Sequence, residues 1–384
     1  MAADWPVGGV WQMNPFSWSR TGGQVGLQVL IEDGDRILCR VRLNDETEDG
    51  NPVLVVMPAT DLPSSAVLDR LTHEYRLKDE LDSDWAARPL SLSRERGRTV
   101  LVLDDPGGEP LERALAAPMA VERFLHVAIG ITVALGKVHQ RGLVHKDLKP
   151  SNILVDEENG GVRLTGFGIA SRAPREKQAP EPPEFIAGTF AYMAPEQTGR
   201  MNRSIDSRSD LYSLGSTFYQ MLTGSLPFTA SDPMEWIHCH IARKPLAPCE
   251  HFEHIPKPVS AIVMKLLTKT AEERYQTAAG VESDLRRCQS EWRSHGRMDE
   301  FILGEHDTPD RLSVPETLYG RANEINILLA SFDRVVASGT PELLLVSGYS
   351  GIGKSSVVNE LHKVLILPRG LFASGKFDQY KRDI

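Results

Sequence analysis

Between Val144 and Leu154 the chain reads VHKDLKPSNIL, and three of its side chains form a chemically coherent set. Asp147 is a carboxylate able to take the proton of an attacking hydroxyl. Asn152, five residues on, offers an amide oxygen to a metal ion, and Lys149 offers a cation to a transferring phosphoryl group. A second set lies near the far end, in GYSGIGKSS, where Gly348, Gly353, Lys354 and Ser355 satisfy G-x-x-x-x-G-K-[ST] in full. The backbone amides of such a loop cradle phosphates, the lysine reaches the β- and γ-phosphates, and the serine hydroxyl ligates magnesium. Gly351 allows the backbone a close approach. ATP and Mg2+ are therefore the cofactors expected.

Both sets need particular elements to hold them. The first hundred residues read as strands, with RILCRVRL (36–43) alternating, NPVLVVMPA (51–59) β-branched and RTVLVLDD (98–105) a short apolar run. AVLDRLTHEYRLKDEL (66–81) between them is helical. From 119 to 140, Phe124, Ala128, Ile131, Leu135 and Val138 recur at alternating steps of four and three, one buried helical stripe. Helical patterns then dominate to about 293. Strands first and helices afterwards give an α+β layout in two lobes. APREKQAPEPPEF (173–185) reads as a proline-rich loop, and 294–316 as a polar linker. The glycine loop is expected between an apolar strand, LLLVS (343–347), and a helix.

Composition narrows the classes. Among 384 residues the formal net charge is -9, which argues against a nucleic-acid binder needing a basic face. No apolar run approaches the ~18 residues of a membrane span, and the start, MAADWPVGGV, lacks the features of a signal peptide. A cytoplasmic location is expected, with neither membrane nor nucleic acid as partner. Four cysteines without a C-x-x-C spacing do not make a disulfide framework. The histidines and cysteines of WIHCHIARKPLAPCEHFEH fit no closed zinc pattern, since His238 and His240 point to different sides of a helix.

Other stretches fall in a familiar order after Asn152. GTFAYMAPE (188–196), SDLYSLG (209–215) and TAEERYQTA (270–278) follow one another in an order that resembles a protein kinase, and that resemblance implies a pairing of Arg274 with Glu196. More specifically, the arrangement resembles the N-terminal serine/threonine-kinase-like domain of multi-sensor signal transduction multi-kinases, hybrid histidine kinases in which an AAA-type ATPase domain follows. FILGEHDTPDRLSVPETLYGR, VSGYSGIGKSS and GLFASGKFDQYKRDI resemble that family's junction and the opening of its ATPase. The resemblance implies a bilobal kinase-like fold over 1–293 (N-lobe about 20–105, C-lobe about 106–293), the linker, and an incomplete P-loop α/β unit over 317–384. It also implies intracellular signalling, with nucleotide and the proteins of a signalling pathway as partners. The chain ends 30 residues after the P-loop motif, before any Walker B-type strand, so either a fragment or a natural truncation of a longer protein is expected.

Three departures bear on catalysis. A kinase's third strand carries a lysine paired with a helix glutamate, yet no lysine precedes Lys78, and PVLVVMP offers valine and methionine. Glu74 then lacks its partner. The glycine-rich loop is reduced to Gly34 in EDGDRI, flanked by two aspartates, and in VRLTGFGIA the metal-binding aspartate of D-F-G is Gly166. Losing metal ligand and lysine together would slow transfer by roughly four or more orders of magnitude. The residues favour a pseudokinase. The alternative is an active, unconventional serine/threonine kinase using Asp147 as base, with Arg40 or Arg42 supplying the missing cation, as the neighbouring strand does in with-no-lysine kinases. A structural role is expected for Asp210 as a helix cap and for Glu196 and Arg274 through each other, while for Asp147 a bond to backbone amides of its own loop is the structural alternative to its role as base.

Overall fold

The computed structural model describes residues 12–14, 17–20, 23–43, 52–95, 98–156, 160–172, 188–200, 203–308, 320–349 and 352–359. The proline-rich stretch 173–185 lies outside them, as does Gly351.

Seven antiparallel strands form the first lobe: β1 (Gln12–Asn14), β2 (Ser17–Arg20), β3 (Gly23–Asp33), β4 (Arg36–Leu43), β5 (Val53–Pro58), β6 (Pro89–Glu95) and β7 (Arg98–Asp104). Their order is β1-β2-β3-β4-β5-β7-β6. Alternation in β5 sorts its side chains cleanly. Leu54 and Val56 join Leu30, Leu38, Leu101 and Leu103 in one buried cluster, while Val53, Val55 and Met57 pack on the opposite face with Val41 and Val100. Helix α1 (Ser65–Arg76) lays Leu71 onto the first of these clusters. The helix stops short of the expected residue 81 because the chain turns at Leu77, whose N–H returns to the Glu74 carbonyl.

The second lobe is helical, as the α+β layout in two lobes predicts. Its frame is α2 (Val121–Gln140), α3 (Ser207–Thr223), α4 (Pro233–Ile241), α5 (Pro248–His251), α6 (Lys257–Leu266) and α7 (Ala278–His295). All five residues of the predicted α2 stripe are buried to 0% exposure, and they anchor a core shared with α3, α6 and α7. Short strands β8 (Glu109–Pro110), β10 (Ile153–Val155) and β11 (Val162–Leu164) make a small sheet, and β9 (Leu143–Val144) pairs with β12 (Ser171–Arg172). These strands carry the loops on which the candidate site residues sit.

Past α7 the chain turns at Gly296 and lies back along the second lobe. Met298, Phe301 and Leu303 pack against its core. Asp307 accepts hydrogen bonds from the Gln276 and Thr277 amides, at 2.6 and 2.9 Å. The first part of 294–316 is thus strapped to this lobe as far as residue 308.

The remaining described residues contain α8 (Ala322–Ser338) and α9 (Lys354–Asn359). The predicted strand 343–347 is not formed. Leu343 and Leu345 are 86% and 85% exposed, because among the described residues no strand lies alongside to take up their backbone hydrogen bonds. No helix among the described residues is long and apolar enough to cross a membrane.

Candidate functional site between the lobes

The loop from His145 to Asn152 is held from beneath by Asp210, a buried residue of α3. Its two carboxylate oxygens accept the His145 and Lys146 N–H groups, both at 2.8 Å, and His139 approaches at 3.0 Å. Burial alone would raise the Asp210 pKa, but His139 and His145 with these amides hold it below the ordinary value. The expectation of Asp210 as a helix cap is therefore corrected: Asp206 caps α3, accepting the Arg208 N–H. The grip fixes Lys146 at φ 69°, the single positive-φ non-glycine among the described residues. Such a conformation persists only when its surroundings over-determine it. The Lys146 carbonyl is accordingly held too, by Gln197 Nε2 at 2.7 Å.

Asp147, Lys149 and Asn152 meet in one place. Asp147 Oδ1 accepts from the N–H and hydroxyl of Thr189, each at 2.9 Å. Asn152 Nδ2 donates to the Asp147 carbonyl at 2.7 Å and to Oδ2 at 3.2 Å. Lys149 Nζ stands 3.6 Å from Asp147 Oδ2 and donates to Thr189 Oγ1 at 2.8 Å. The carboxylate is thus bonded to Thr189 of the 188–196 segment and to the side chain of Asn152, rather than to backbone amides of its own loop.

Above this group, the cleft-facing position of β5 is Val56. Met57, the other residue considered from sequence, points to the opposite face. Glu74 is buried on α1, and its Oε1 accepts the Gly166 N–H at 3.2 Å. Gly166 is left-handed at φ 81°, and a Cβ there would lie 2.8–2.9 Å from the Asn152 side chain. The asparagine thus covers the space a D-F-G carboxylate would need. Phe167 packs against His145, with ring centroids 4.6 Å apart, so the backbone path of the motif survives without its acid.

Neither arginine considered as a replacement cation reaches the loop. Arg40 is bound by Asp105 at 2.5 Å, Glu109 at 3.2 Å and the Gly108 carbonyl at 2.7 Å, and Arg42 is exposed. The residue that arrives is Arg36, whose guanidinium donates to Asn152 Oδ1. Its partner across the β3–β4 turn, Asp33, accepts from Lys149 Nζ at 2.5 Å. Burial would raise the Asp33 pKa, but Lys149, Arg36 and Arg70 together bring it below the ordinary value. In the sequence this turn is marked only by the two aspartates that flank Gly34, whose charge would repel phosphate. That one of them would reach Lys149 depends on closure of the lobes, which leaves no local pattern.

In the second loop, Lys354 Nζ donates to the carbonyls of Gly348 and Tyr349, both at 2.8 Å, and Gly353 is left-handed at φ 90°. Gly351 and the side chain of Ser355 lie outside the described residues. Among the described residues no cluster of histidine, cysteine and carboxylate side chains could hold a metal. His240 instead bridges the Tyr212 hydroxyl (3.0 Å) and the Phe190 carbonyl (2.7 Å).

Comparison with known proteins matches residues 56–285 to the protein kinase domain and residues 317–384 to the AAA ATPase domain. Hybrid signal transduction histidine kinase G of Dictyostelium discoideum is 29% identical over 353 residues, covering 69% of this chain and 10% of its own length. Serine/threonine-protein kinase PknB of Mycobacterium tuberculosis (strain ATCC 25618 / H37Rv) is 37% identical over 168 residues, or 44% of this chain and 26% of that protein. A probable serine/threonine-protein kinase of Streptomyces coelicolor is 36% identical over 167 residues, with 44% and 24% covered. The chain thus spans between a tenth and about a quarter of the length of these relatives.

Proposed function

We infer, for a chain that belongs to the protein kinase domain family, that the kinase fold serves here as a catalytically impaired signalling module. It is joined to an AAA ATPase domain whose P-loop takes the nucleotide. The observation that carries this reading is the bond from the Gly166 N–H to Glu74 Oε1. In an active kinase the helix glutamate holds a lysine and the residue at 166 holds a metal. Here the glutamate is committed to a glycine amide, Val56 stands in for the lysine, and Asn152 covers the glycine's α-carbon.

Magnesium does not fit this cleft. A carboxylate is absent at 166, and the amide oxygen of Asn152 faces the guanidinium of Arg36. In the P-loop, Gly348, Gly351, Gly353 and Lys354 would hold the phosphates and Ser355 the magnesium, which there shields phosphate charge. The pairing of a kinase domain with an ATPase domain supports a role with protein partners of a signalling pathway, in the cytoplasm.

The test is phosphoryl transfer by the full chain carrying Lys354→Ala, supplied with radiolabelled MgATP and a generic serine/threonine substrate. The expected result is no incorporation above that of Asp147→Asn. Incorporation that Asp147→Asn abolishes would overturn the reading. It would favour the second one, an unconventional kinase, whose support is that Asp147, Lys149 and Asn152 are still gathered within hydrogen-bonding range.

A further inference from the structure

We propose that Lys269 is a modification site, whose side-chain amine takes a small acyl group from an acyl phosphate entering the cavity beside it. The site lies on the connection between α6 and α7 and involves no residue of the 145–152 loop.

The amine is held without a counter-charge. Charges inside a fold are ordinarily paired, and Lys149 shows this, with Asp33 at 2.5 Å and Asp147 at 3.6 Å. Lys269 Nζ instead donates to the Tyr212 hydroxyl and the Cys239 carbonyl, both at 3.1 Å, and stands 4.5 Å from the centre of the Phe228 ring. Among the described residues no carboxylate pairs with it. The acids of this region are committed elsewhere, Glu196 to Arg274 and Glu272 to Arg203. The titratable groups facing the amine are Tyr212 on α3, Cys239 and His240 on α4, and the Glu196–Arg274 pair. Burial keeps the Tyr212 hydroxyl protonated and the His240 ring neutral. Burial, reinforced by the Arg274 charge, lowers the Lys269 pKa to about 7. Much of this amine is therefore neutral at neutral pH, with a lone pair able to attack an electrophile.

The cavity supplies room and a place for the leaving group. Lys269 lines a space of about 260 Å³ whose walls include Ile241, Ala242, Ala271 and Arg203. Pockets for drug-sized ligands begin near ~300 Å³, so this one favours a small donor over one built on a nucleotide. The apolar walls suit an acyl chain. Arg203, with its side chain 11% exposed, offers a guanidinium to the departing phosphate. In the step, the Nζ lone pair attacks the carbonyl carbon, the C–N bond forms and the bond from that carbon to the phosphate oxygen breaks. Phosphate leaves with the electron pair and takes the proton that the nitrogen sheds.

The product amide has one N–H where the ammonium had three, so either Tyr212 or Cys239 loses its donor. The Tyr212 hydroxyl is 3.0 Å from His240 Nδ1, and His240 Nε2 donates to the Phe190 carbonyl at 2.7 Å. The acylated nitrogen thus lies three hydrogen bonds from the segment that carries Thr189 to Asp147.

The experiment exposes the full chain to acetyl phosphate at pH 7 and follows acetylation of each lysine by peptide mass spectrometry. Lys269 is expected to react at least about tenfold faster than Lys257, whose side chain is 78% exposed. The ratio should shrink between pH 7 and pH 9, because an ordinary lysine gains neutral amine over that range while Lys269 is already largely neutral. Concentrated urea should abolish the preference. Arg203→Gln should slow Lys269 several-fold and leave Lys257 unchanged, and Arg203→Lys should restore the rate. Lys269 reacting no faster than Lys257, a ratio that holds or grows with pH, or a preference that persists in urea would overturn the proposal. Acetyl-coenzyme A reacting at Lys269 as fast as acetyl phosphate, or a rate indifferent to Arg203→Gln, would overturn the acyl phosphate as donor.

Discussion

Arg274 holds Glu196 through two parallel hydrogen bonds of 2.7 and 2.9 Å, with both side chains at 3% exposure or less. The same guanidinium donates to the carbonyls of Thr268, Lys269 and Arg208, and Ser209 donates to Glu196. The 188–200 segment, which carries Thr189 to Asp147, is thereby fastened to the connection between α6 and α7. Removing one member of such a pair strands a buried charge and costs about 3–5 kcal/mol. Arg274→Ala should lower the melting temperature by on the order of 10 °C, measured by circular dichroism. A shift of a degree or two would show that the pair is dispensable.

Restoring an aspartate at 166 should not restore a kinase. The new Cβ would meet Asn152 at 2.8–2.9 Å, and φ 81° adds strain for any side chain. Gly166→Asp is expected to cost about 1–3 kcal/mol and to bring no magnesium-dependent nucleotide binding to a Lys354→Ala chain. Calorimetry that showed such binding would mean that Asn152 yields readily.

Acid should weaken the second lobe through His240. Burial, with the nearby Lys269 charge, lowers its pKa to about 3. The neutral ring donates to the Phe190 carbonyl and accepts from Tyr212, whose hydroxyl also receives Lys269 Nζ at 3.1 Å. A protonated ring would turn a second donor toward a hydroxyl already engaged. Its unfolded pKa is the higher one, so the unfolded chain binds the extra proton. The stability is complete above about pH 6.5 and declines as pH falls toward 3. Urea melts at pH 7 and pH 4 should differ by a few kcal/mol, and His240→Gln should shrink that difference. An unchanged difference would assign the acid sensitivity elsewhere.

Nucleotide binding by the chain as a whole should depend on Lys354. Its ammonium rests on two carbonyls of its own loop, a position from which it can swing to phosphate oxygens. Lys354→Ala is expected to weaken MgATP at least about a hundredfold by calorimetry. Unaltered affinity would place the nucleotide in the kinase cleft.

Much of this architecture could be read along the chain because its signals are local. The α2 stripe and strands β4, β5 and β7 follow from periodicity, the pairing of Glu196 with Arg274 from the family resemblance, and the structure contains all of them. What escaped depends on closure in three dimensions. Asp210 looks like an ordinary residue of a helix first turn, and only the packing of α3 under the loop at 145 makes it the acceptor of two amides. Arg36 and Asp33 are 116 residues from their partners, so no spacing rule connects them. LLLVS has strand composition, but a strand exists only beside another strand, and none is described there.

The strap that returns from α7 has a mechanical consequence. Between the end of α7 and the second matched family lie residues 296–316, which fully extended would reach roughly 70 Å. Asp307 pins that span at the beginning of α7 through Gln276 and Thr277, and only 309–316 remain beyond the strap. Eight residues reach about 28 Å at most. The ATPase domain is thus leashed close to the kinase fold, at the high effective concentration a short tether imposes. A partner that lifted the strap, with Asp307 and the side chains of Met298, Phe301 and Leu303, off this lobe would lengthen the leash about 2.5-fold without touching the P-loop.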